Sequence, residues 1–314
     1  MRAIAVAEYG ADARLGEYDK PVAGPGQVLL RVLAAGMNPM DRAIASGALR
    51  DSFPATFPLI LGVDVVGLVE EVGAGPGPYS VGDRVFGQLL TLPLGLRGAY
   101  AEYVSITADA TLTTVPESLS NEVAATLPTP GVTALQVARS MEPLAARAIA
   151  VVGAGGAVGG FLTQLLSASG ARVLAIALPG QADRVRSYGA REVVDATASP
   201  TDDLRRAVPD GVDGLVDLVS PPEQFASLVE AVRPGGIAIS SRYAADIDDA
   251  ANRTVRGVNF VVQMTIRDLQ AVGELSASGR LVPPSIRTVR FEDVLAFLNG
   301  AKNEFDGKTV VRPE

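Results

Sequence analysis

Three glycines at three-residue spacing, Gly153, Gly156 and Gly159, follow the apolar run Ala148–Val152 and open the stretch Ala157–Ser169, which reads as a helix. A strand, a glycine turn and a helix start, in that order, suit one kind of chemistry. Glycine permits a tight turn and close backbone approach, and the free N–H groups at the helix start favour a pyrophosphate. The spacing is G-x-x-G-x-x-G, with Val158 where the strict dinucleotide pattern has its last glycine. The alternative is that the three glycines serve only close packing of helix on strand.

A dinucleotide would next be read at the end of the following strand, Arg172–Ala177, where an acidic residue binds the ribose 2′-hydroxyl of NAD. Here the chain continues Leu178-Pro179-Gly180-Gln181, with no carboxylate before Asp183. Arg184 follows closely, and Arg242 comes just after the strand Gly236–Ser240. Either arginine would meet a 2′-phosphate, and either would serve equally as a solvated surface residue. The two arginines make NADPH the expected cofactor and NADH the alternative, and Ser240 at its strand end is a further cofactor-binding candidate.

Two absences narrow the chemistry further: the chain has no cysteine and no histidine. Ser-His-Asp and Cys-His triads are excluded, and most hydrolysis with them. A Zn²⁺ site would be left with carboxylates and water, an uncommon ligand set, so no zinc is expected. Disulfides and thiolate nucleophiles are ruled out as well. A net charge of −8, with lysine only at Lys20, Lys302 and Lys308, argues against a nucleic-acid partner.

The stretch Ala148–Ala171 carries no charge and is long enough to mimic a membrane span. Its six interior glycines, with Thr163 and Gln164, fit a buried strand, turn and helix better. The N-terminal run Met1–Val6 reads as a strand without a charged, then apolar leader. A soluble, cytoplasmic protein without membrane association is therefore expected.

Two textures of sequence must position these groups. Up to about Ser120 the chain is rich in Gly, Pro and short β-type runs: Gln27–Leu33, Val63–Val72, Asp83–Phe86 and Tyr100–Ile106. That pattern predicts a compact barrel-like β domain. Asn121–Leu127 and Val132–Ser140 then read as helices interrupted by the breaker Pro128-Thr129-Pro130-Gly131. From Ala148 to Ser240 strands alternate with helices, including a helix over Pro222–Val232, and the strands are apolar runs without polar alternation. This predicts βαβ units and a parallel sheet covered on both faces. An edge strand Gly257–Val262, helices Ile266–Ser278 and Phe291–Asn299, and a strand Thr309–Arg312 are expected beyond it. The 314 residues are divided as 1–120, completed by 266–314, and 121–265.

An ordered series of segments resembles the medium-chain dehydrogenase/reductase superfamily over essentially the whole chain. They are Ala35-Gly36-Met37-Asn38-Pro39-Met40-Asp41, Gly62-Val63-Asp64-Val65-Val66-Gly67, Val81-Gly82-Asp83-Arg84-Val85 and Gly98-Ala99-Tyr100-Ala101-Glu102-Tyr103. Gly131-Val132-Thr133-Ala134, the glycine loop, Pro234-Gly235-Gly236 and Gly307-Lys308-Thr309-Val310 complete it. The resemblance implies an α/β plus β architecture: a GroES-like β-barrel catalytic domain with a Rossmann domain, a doubly wound parallel sheet. Asn38 and the pair Val63-Asp64 stand where the zinc alcohol dehydrogenases carry a Cys ligand and a His-Glu pair. That difference places the resemblance in the zinc-independent quinone oxidoreductase (ζ-crystallin-like) branch.

By this resemblance Asn38 would line the junction of nicotinamide and substrate, Thr133 would bind the carboxamide, and Gly156, Ala157 and Val158 would hold the pyrophosphate, with Gly153 making the turn. Asn38 also suits a turn ahead of Pro39. Asp41 would either orient Asn38 or, the favoured reading, cap a helix at Arg42–Ala45. Asp64 is expected to serve its turn, and Tyr100 and Tyr103 to lie in a strand, with a phenol near the enolate as an alternative proton donor. The Lys or Arg after Leu178 and the Tyr near Ala196 that NADPH-using members carry are missing, and Val219-Ser220-Pro221-Pro222 replaces a glycine pair. The implied activity is hydride transfer from NAD(P)H to a quinone or α,β-unsaturated carbonyl in the cleft between domains, with the Asn38 amide supporting the enolate. An enoyl-thioester reductase and a nucleotide-bound sensor or scaffold are the alternatives. A homodimer through the edge strand Gly257–Val262 is expected. Apolar residues of the loops Ser46–Phe57 and Phe86–Arg97 (Phe53, Phe57, Leu89, Leu90, Leu92 and Leu94) point to a hydrophobic acceptor or to plain packing.

Overall fold

The computed structural model describes the chain apart from positions 76, 108–109, 253, 303–304 and 314, and the side chains at 249, 251 and 252. Two compact units emerge: Met1–Thr129 with Met264–Arg280 and Ser285–Glu314, and Pro130–Gln263 with Leu281–Pro284.

The first unit is organised around one long strand, Gln27–Gly36. It pairs antiparallel with Asp64–Val72, with Tyr103–Thr107 and, at its last residues, with Lys308–Arg312. Arg84–Gln88 and Leu112–Thr114 extend the sheet on one side, and Ile286–Arg290 extends it on the other. A smaller sheet joins Arg2–Val6 to Arg14–Glu17 and Leu59–Ile60. The core between them includes Ile4, Leu30, Val65, Val85, Tyr100, Val104 and Phe291. Strand register decides which side chains meet at the end of the long strand. Gly36 lies opposite both Asp64 and Val310, so three strands separated widely in sequence converge just before Asn38. Position 36 must be glycine, because a Cβ there would fall 2.1 Å from the carbonyl oxygen of Ala125, on the helix Asn121–Ala125.

The second unit is a six-stranded sheet, parallel throughout. Its order is Glu192–Asp195, Arg172–Ala177, Ala148–Val152, Val212–Asp217, Val232–Ser240 and Arg256–Asn259. The chain builds one half outward from Ala148–Val152 and the other outward from Val212–Asp217. The switch point between those strands is where doubly wound sheets bind ligands. The neutral stretch Ala148–Ala171 resolves into a strand, the glycine turn and the 12-residue helix Ala157–Ala168, about 18 Å long. Among the described residues no helix is long and apolar enough to cross a membrane.

Several element boundaries differ from expectation. Pro128-Thr129-Pro130-Gly131 is no breaker but the first turn of the helix Pro128–Ser140. Proline disrupts a helix by removing an internal N–H, and first-turn N–H groups have no internal partner to lose. The helix expected over Pro222–Val232 ends at Val229, and Val232 instead opens a strand reaching Ser240. The strand Ile286–Arg290 and the helix Ile247–Asn252 were not anticipated. Ile286-Arg287-Thr288-Val289-Arg290 is a half-exposed edge strand, too polar to show an apolar run.

Candidate functional site

The glycine loop is tied to the neighbouring strand by the N–H groups of Gly153 and Ala154, which donate to the carbonyl oxygen of Ile176 at 3.0 and 3.2 Å. Its glycines have different reasons. Gly153 has φ +78°, a left-handed conformation that disfavours a side chain. At Gly159 a Cβ would lie 2.3 Å from the Gly153 oxygen and 2.6 Å from the Ala154 Cα, so helix and loop could not close on one another. Gly156 has neither constraint: its φ is −77°, and a Cβ would meet only the Gly153 oxygen, at 3.4 Å. Packing therefore accounts for Gly153 and Gly159 but not for Gly156, whose bare exposed face suits an external group. Ala157 and Val158 come next as the first residues of the helix, half-buried.

Around this loop, Arg184 on the helix Ala182–Ser187 donates from Nη2 to the Gly155 oxygen at 2.8 Å. The Ser240 hydroxyl accepts from the N–H groups of Arg242 and Ala244 at 3.0 and 3.1 Å, making it a turn cap, while Arg242 is exposed. Thr133 is buried on the helix Pro128–Ser140. Asp217 accepts from Val219 N and Ser220 N, both at 2.9 Å, which closes the turn where a glycine pair was expected.

In the first unit the structure gathers a cluster that sequence reasoning saw only in part. Asn38, Asp41, Asp64, Tyr100 and Lys308 are all at most 4% exposed. The Lys308 ammonium donates to Asn38 Oδ1 at 2.5 Å. Asn38 Nδ2 donates to Gly36 O at 3.0 Å and to Asp64 Oδ2 at 2.8 Å. Asp64 also receives the Thr129 hydroxyl at 2.6 Å and the Thr129 N–H at 3.2 Å, so a carboxylate caps the start of the helix Pro128–Ser140. Asp41 takes Asn38 N at 2.7 Å, Tyr100 Oη at 2.7 Å and Val63 N at 3.0 Å.

These contacts revise three expectations. The helix is Pro39–Ala45 with Asn38 as its N-cap, so Asp41 is its third residue, reaching back to the Asn38 N–H. Tyr100 lies outside the strand Tyr103–Thr107, and its phenol is spent on Asp41 rather than open to an enolate. Both N–H groups of the Asn38 amide already have acceptors, so the side chain is held as a clamp and has no donor left for a substrate. Lys308, Thr129 and Gln88, which donates to the Thr129 hydroxyl at 2.7 Å, were overlooked. One signal was available: Lys308 is a rare lysine heading the apolar strand Lys308–Arg312, where a solvated charge has no place.

Two carboxylates share one ammonium here, and the balance shows in their proton affinities. Burial pushes Asp41 up to about 6, against the opposing hydrogen bonds from Asn38 and Tyr100. Burial also raises Asp64, opposed first by Lys308, and lowers Lys308, opposed first by Asp64. Since Asp41 titrates above its ordinary 3.8, the folded chain binds the extra proton between that value and about 6. The cost of ionising it is absent below the lower value, grows through the window and is complete above 6. Tyr100→Phe removes a donor that favours the ionised form. It is expected to cost about 1–3 kcal/mol at pH 8 and clearly less at pH 5, where Asp41 is protonated. Urea titrations at both pH values check this, and an equal loss at the two would contradict it.

Comparison with known proteins gives the cluster and the loop a context. Residues 24–117 match the alcohol dehydrogenase GroES-like domain family, and residues 157–241 match the zinc-binding dehydrogenase family. A quinone oxidoreductase of Mus musculus is 34% identical over 229 residues, covering 70% of this chain and 67% of its own. A trans-enoyl reductase of Petromyces alliaceus is 32% identical over 238 residues, covering 70% of this chain and 64% of its own. The fold of the quinone oxidoreductase from Coxiella burnetii superposes with a TM-score of 0.85 at 24% identity, over 100% of this chain and 99% of that one. The zinc of the second family's description finds no fit at the Asn38 cluster. Its ligand types, Cys and His, are absent from the chain, and the Lys308 ammonium already provides the cation beside Asn38 and Asp64. The chain belongs to the quinone oxidoreductase family of the medium-chain dehydrogenase/reductases.

Proposed function

We propose that the chain is a metal-independent, NADPH-preferring reductase acting on quinones or α,β-unsaturated carbonyl compounds. The observation that carries this reading is Gly156, a bare, unstrained position between two structurally required glycines. The loop N–H groups and the start of the helix Ala157–Ala168 hold the pyrophosphate, with Gly156, Ala157 and Val158 against it. Thr133 is assigned to the carboxamide, and Ser240 shapes the turn that presents Arg242. Arg184, tethered to Gly155, and Arg242 supply positive charge for a 2′-phosphate, which supports NADPH over NADH. The bound nicotinamide supplies a hydride from C4.

In the first unit Asn38 acts by position rather than as a donor, holding Lys308 and Asp64 in place. A conjugated carbonyl is already polarised, so its reduction requires no Lewis acid. With the Tyr100 phenol committed to Asp41, the proton that completes the reduction is assigned to water or a hydroxyl. The strand Arg256–Asn259, paired among the described residues only with Val232–Ser240, leaves a sheet edge suited to a homodimer.

The test is anaerobic oxidation of NADPH and NADH against a panel of quinones, cyclic enones and a crotonyl thioester. Turnover with NADPH, at least about tenfold above NADH in kcat/KM, is expected, since a paired phosphate contributes about 1.5–3 kcal/mol. Preference for the thioester would move the assignment to enoyl-thioester reduction. Tight nucleotide binding with no turnover of any acceptor would overturn the reductase reading in favour of a sensor.

A further inference from the structure

A cavity of about 370 Å³ opens in the first unit, lined by Gln88, Leu90, Thr91, Thr107, Ala110, Thr111 and Met264. Its volume falls in the range of small-molecule sites. The lining is richer in hydroxyl and amide groups than the leucines of the loop 86–97 suggested. Leu89 and Leu94 are buried in the core of the unit and serve packing, whereas Leu90 lines the cavity and gives it an apolar side.

The polarity of Gln88 is fixed from behind. Gln88 is the last residue of its strand and lies opposite Asp64. Its Nε2 donates to Thr129 Oγ1 at 2.7 Å, and the single proton of that hydroxyl goes to Asp64 Oδ1 at 2.6 Å. Asp64 is engaged as an acceptor at both oxygens, taking Asn38 Nδ2 on Oδ2 at 2.8 Å and the Thr129 N–H on Oδ1 and Oδ2 at 3.2 Å. Thr129 Oγ1 therefore has no proton to offer Gln88, and the amide cannot be reversed without losing this bond. The nitrogen faces Thr129 and the carbonyl oxygen faces away. No described residue donates to Gln88 Oε1.

The geometry points to Gln88 as a specificity-determining residue whose Oε1 accepts a hydrogen bond from a hydroxyl or amide N–H on the molecule to be reduced. The pair Asp64–Thr129 sets that preference. This deepens the reductase reading and rests on it for the identity of the ligand as hydride acceptor. A donor-bearing enone or hydroxyquinone fits the site, and its ether or hydrocarbon counterpart leaves Oε1 unpaired. The nicotinamide carboxamide offers the same N–H chemistry, so the test separates the two sources.

The probes are 4-hydroxy-2-cyclohexen-1-one and its 4-methoxy counterpart, which cannot donate. Each is titrated by ligand-observed NMR against the full chain with saturating NADP⁺, so no turnover intervenes. Wild type should bind the hydroxy compound about five- to tenfold more tightly, the range of one net hydrogen bond. Gln88→Met, which nearly conserves volume, should erase the preference while the NADP⁺ Kd stays within about twofold. Thr129→Val frees the amide to turn and should reduce the preference to about twofold. Equal binding of the two probes by wild type, a preference that survives in Gln88→Met, or a weakening of NADP⁺ in its place would each overturn the assignment. Intact binding preference without any turnover would instead sink the reductase reading and leave the subsite standing.

Discussion

Lys308→Met should lower the stability of the first unit by about 3–5 kcal/mol at pH 8, the usual loss when one partner of a buried charge pair is removed. Methionine fills a similar volume, so cavity formation is a small part of the effect. The loss comes from Asp64 and Asp41, both fully buried and left without their cation. Each must then ionise unpaired or take up a proton. Without Lys308 both carboxyls titrate still higher than in the wild type, so the folded variant binds protons that the unfolded chain does not. Stability should accordingly rise as the pH falls from 8 to about 5.5, against the ordinary trend of acid denaturation. Adding Asp64→Asn should restore more than half of the loss, because it deletes one uncompensated charge. Urea unfolding followed by tyrosine fluorescence measures all three. A loss below about 1 kcal/mol with no pH dependence would mean that the ammonium contributes nothing to the cluster.

The same cluster shows why part of the molecule can be read from sequence and part cannot. Strands such as Ala148–Val152 and Arg172–Ala177 are legible because both faces of a parallel sheet are covered, which leaves unbroken apolar runs. The glycine loop is legible because its geometry is local: turn, approach and helix start lie within seven residues. Asn38 could be singled out, but its hydrogen bonds could not. They reach Asp64 across strand pairing and Lys308 at a separation of 270 residues, and both depend on the register around Gly36. Pro128 and Pro130 misled for a different reason, since the rule that proline ends helices holds for interiors and not for first turns. Gln88 carried no signal at all. Its meaning depends on which way an amide faces, and that is decided by Thr129 and Asp64.

The glycine loop yields the second large effect. If the loop holds a pyrophosphate as proposed, Gly156→Val should raise the NADPH Kd by at least about 100-fold, the loss of about two charge-assisted hydrogen bonds to phosphate. The same substitution should leave the fold nearly intact. Backbone angles of −77° and 174° suit valine, and the Cβ meets only the Gly153 oxygen at an ordinary 3.4 Å. Loss of a glycine N-cap is the main structural cost, about 1 kcal/mol, or a fall in Tm of about 2–4 °C. Gly159→Ala should behave in the opposite sense. Its methyl would overlap the Gly153 oxygen and the Ala154 Cα, so the melting temperature should drop sharply, and nucleotide affinity should fall only as far as the loop is deformed. Isothermal titration with NADPH beside a thermal melt separates the two. If Gly156→Val binds NADPH within about threefold of wild type, the loop packs a helix on a strand and holds no pyrophosphate, because no side chain of that size could share the space with one.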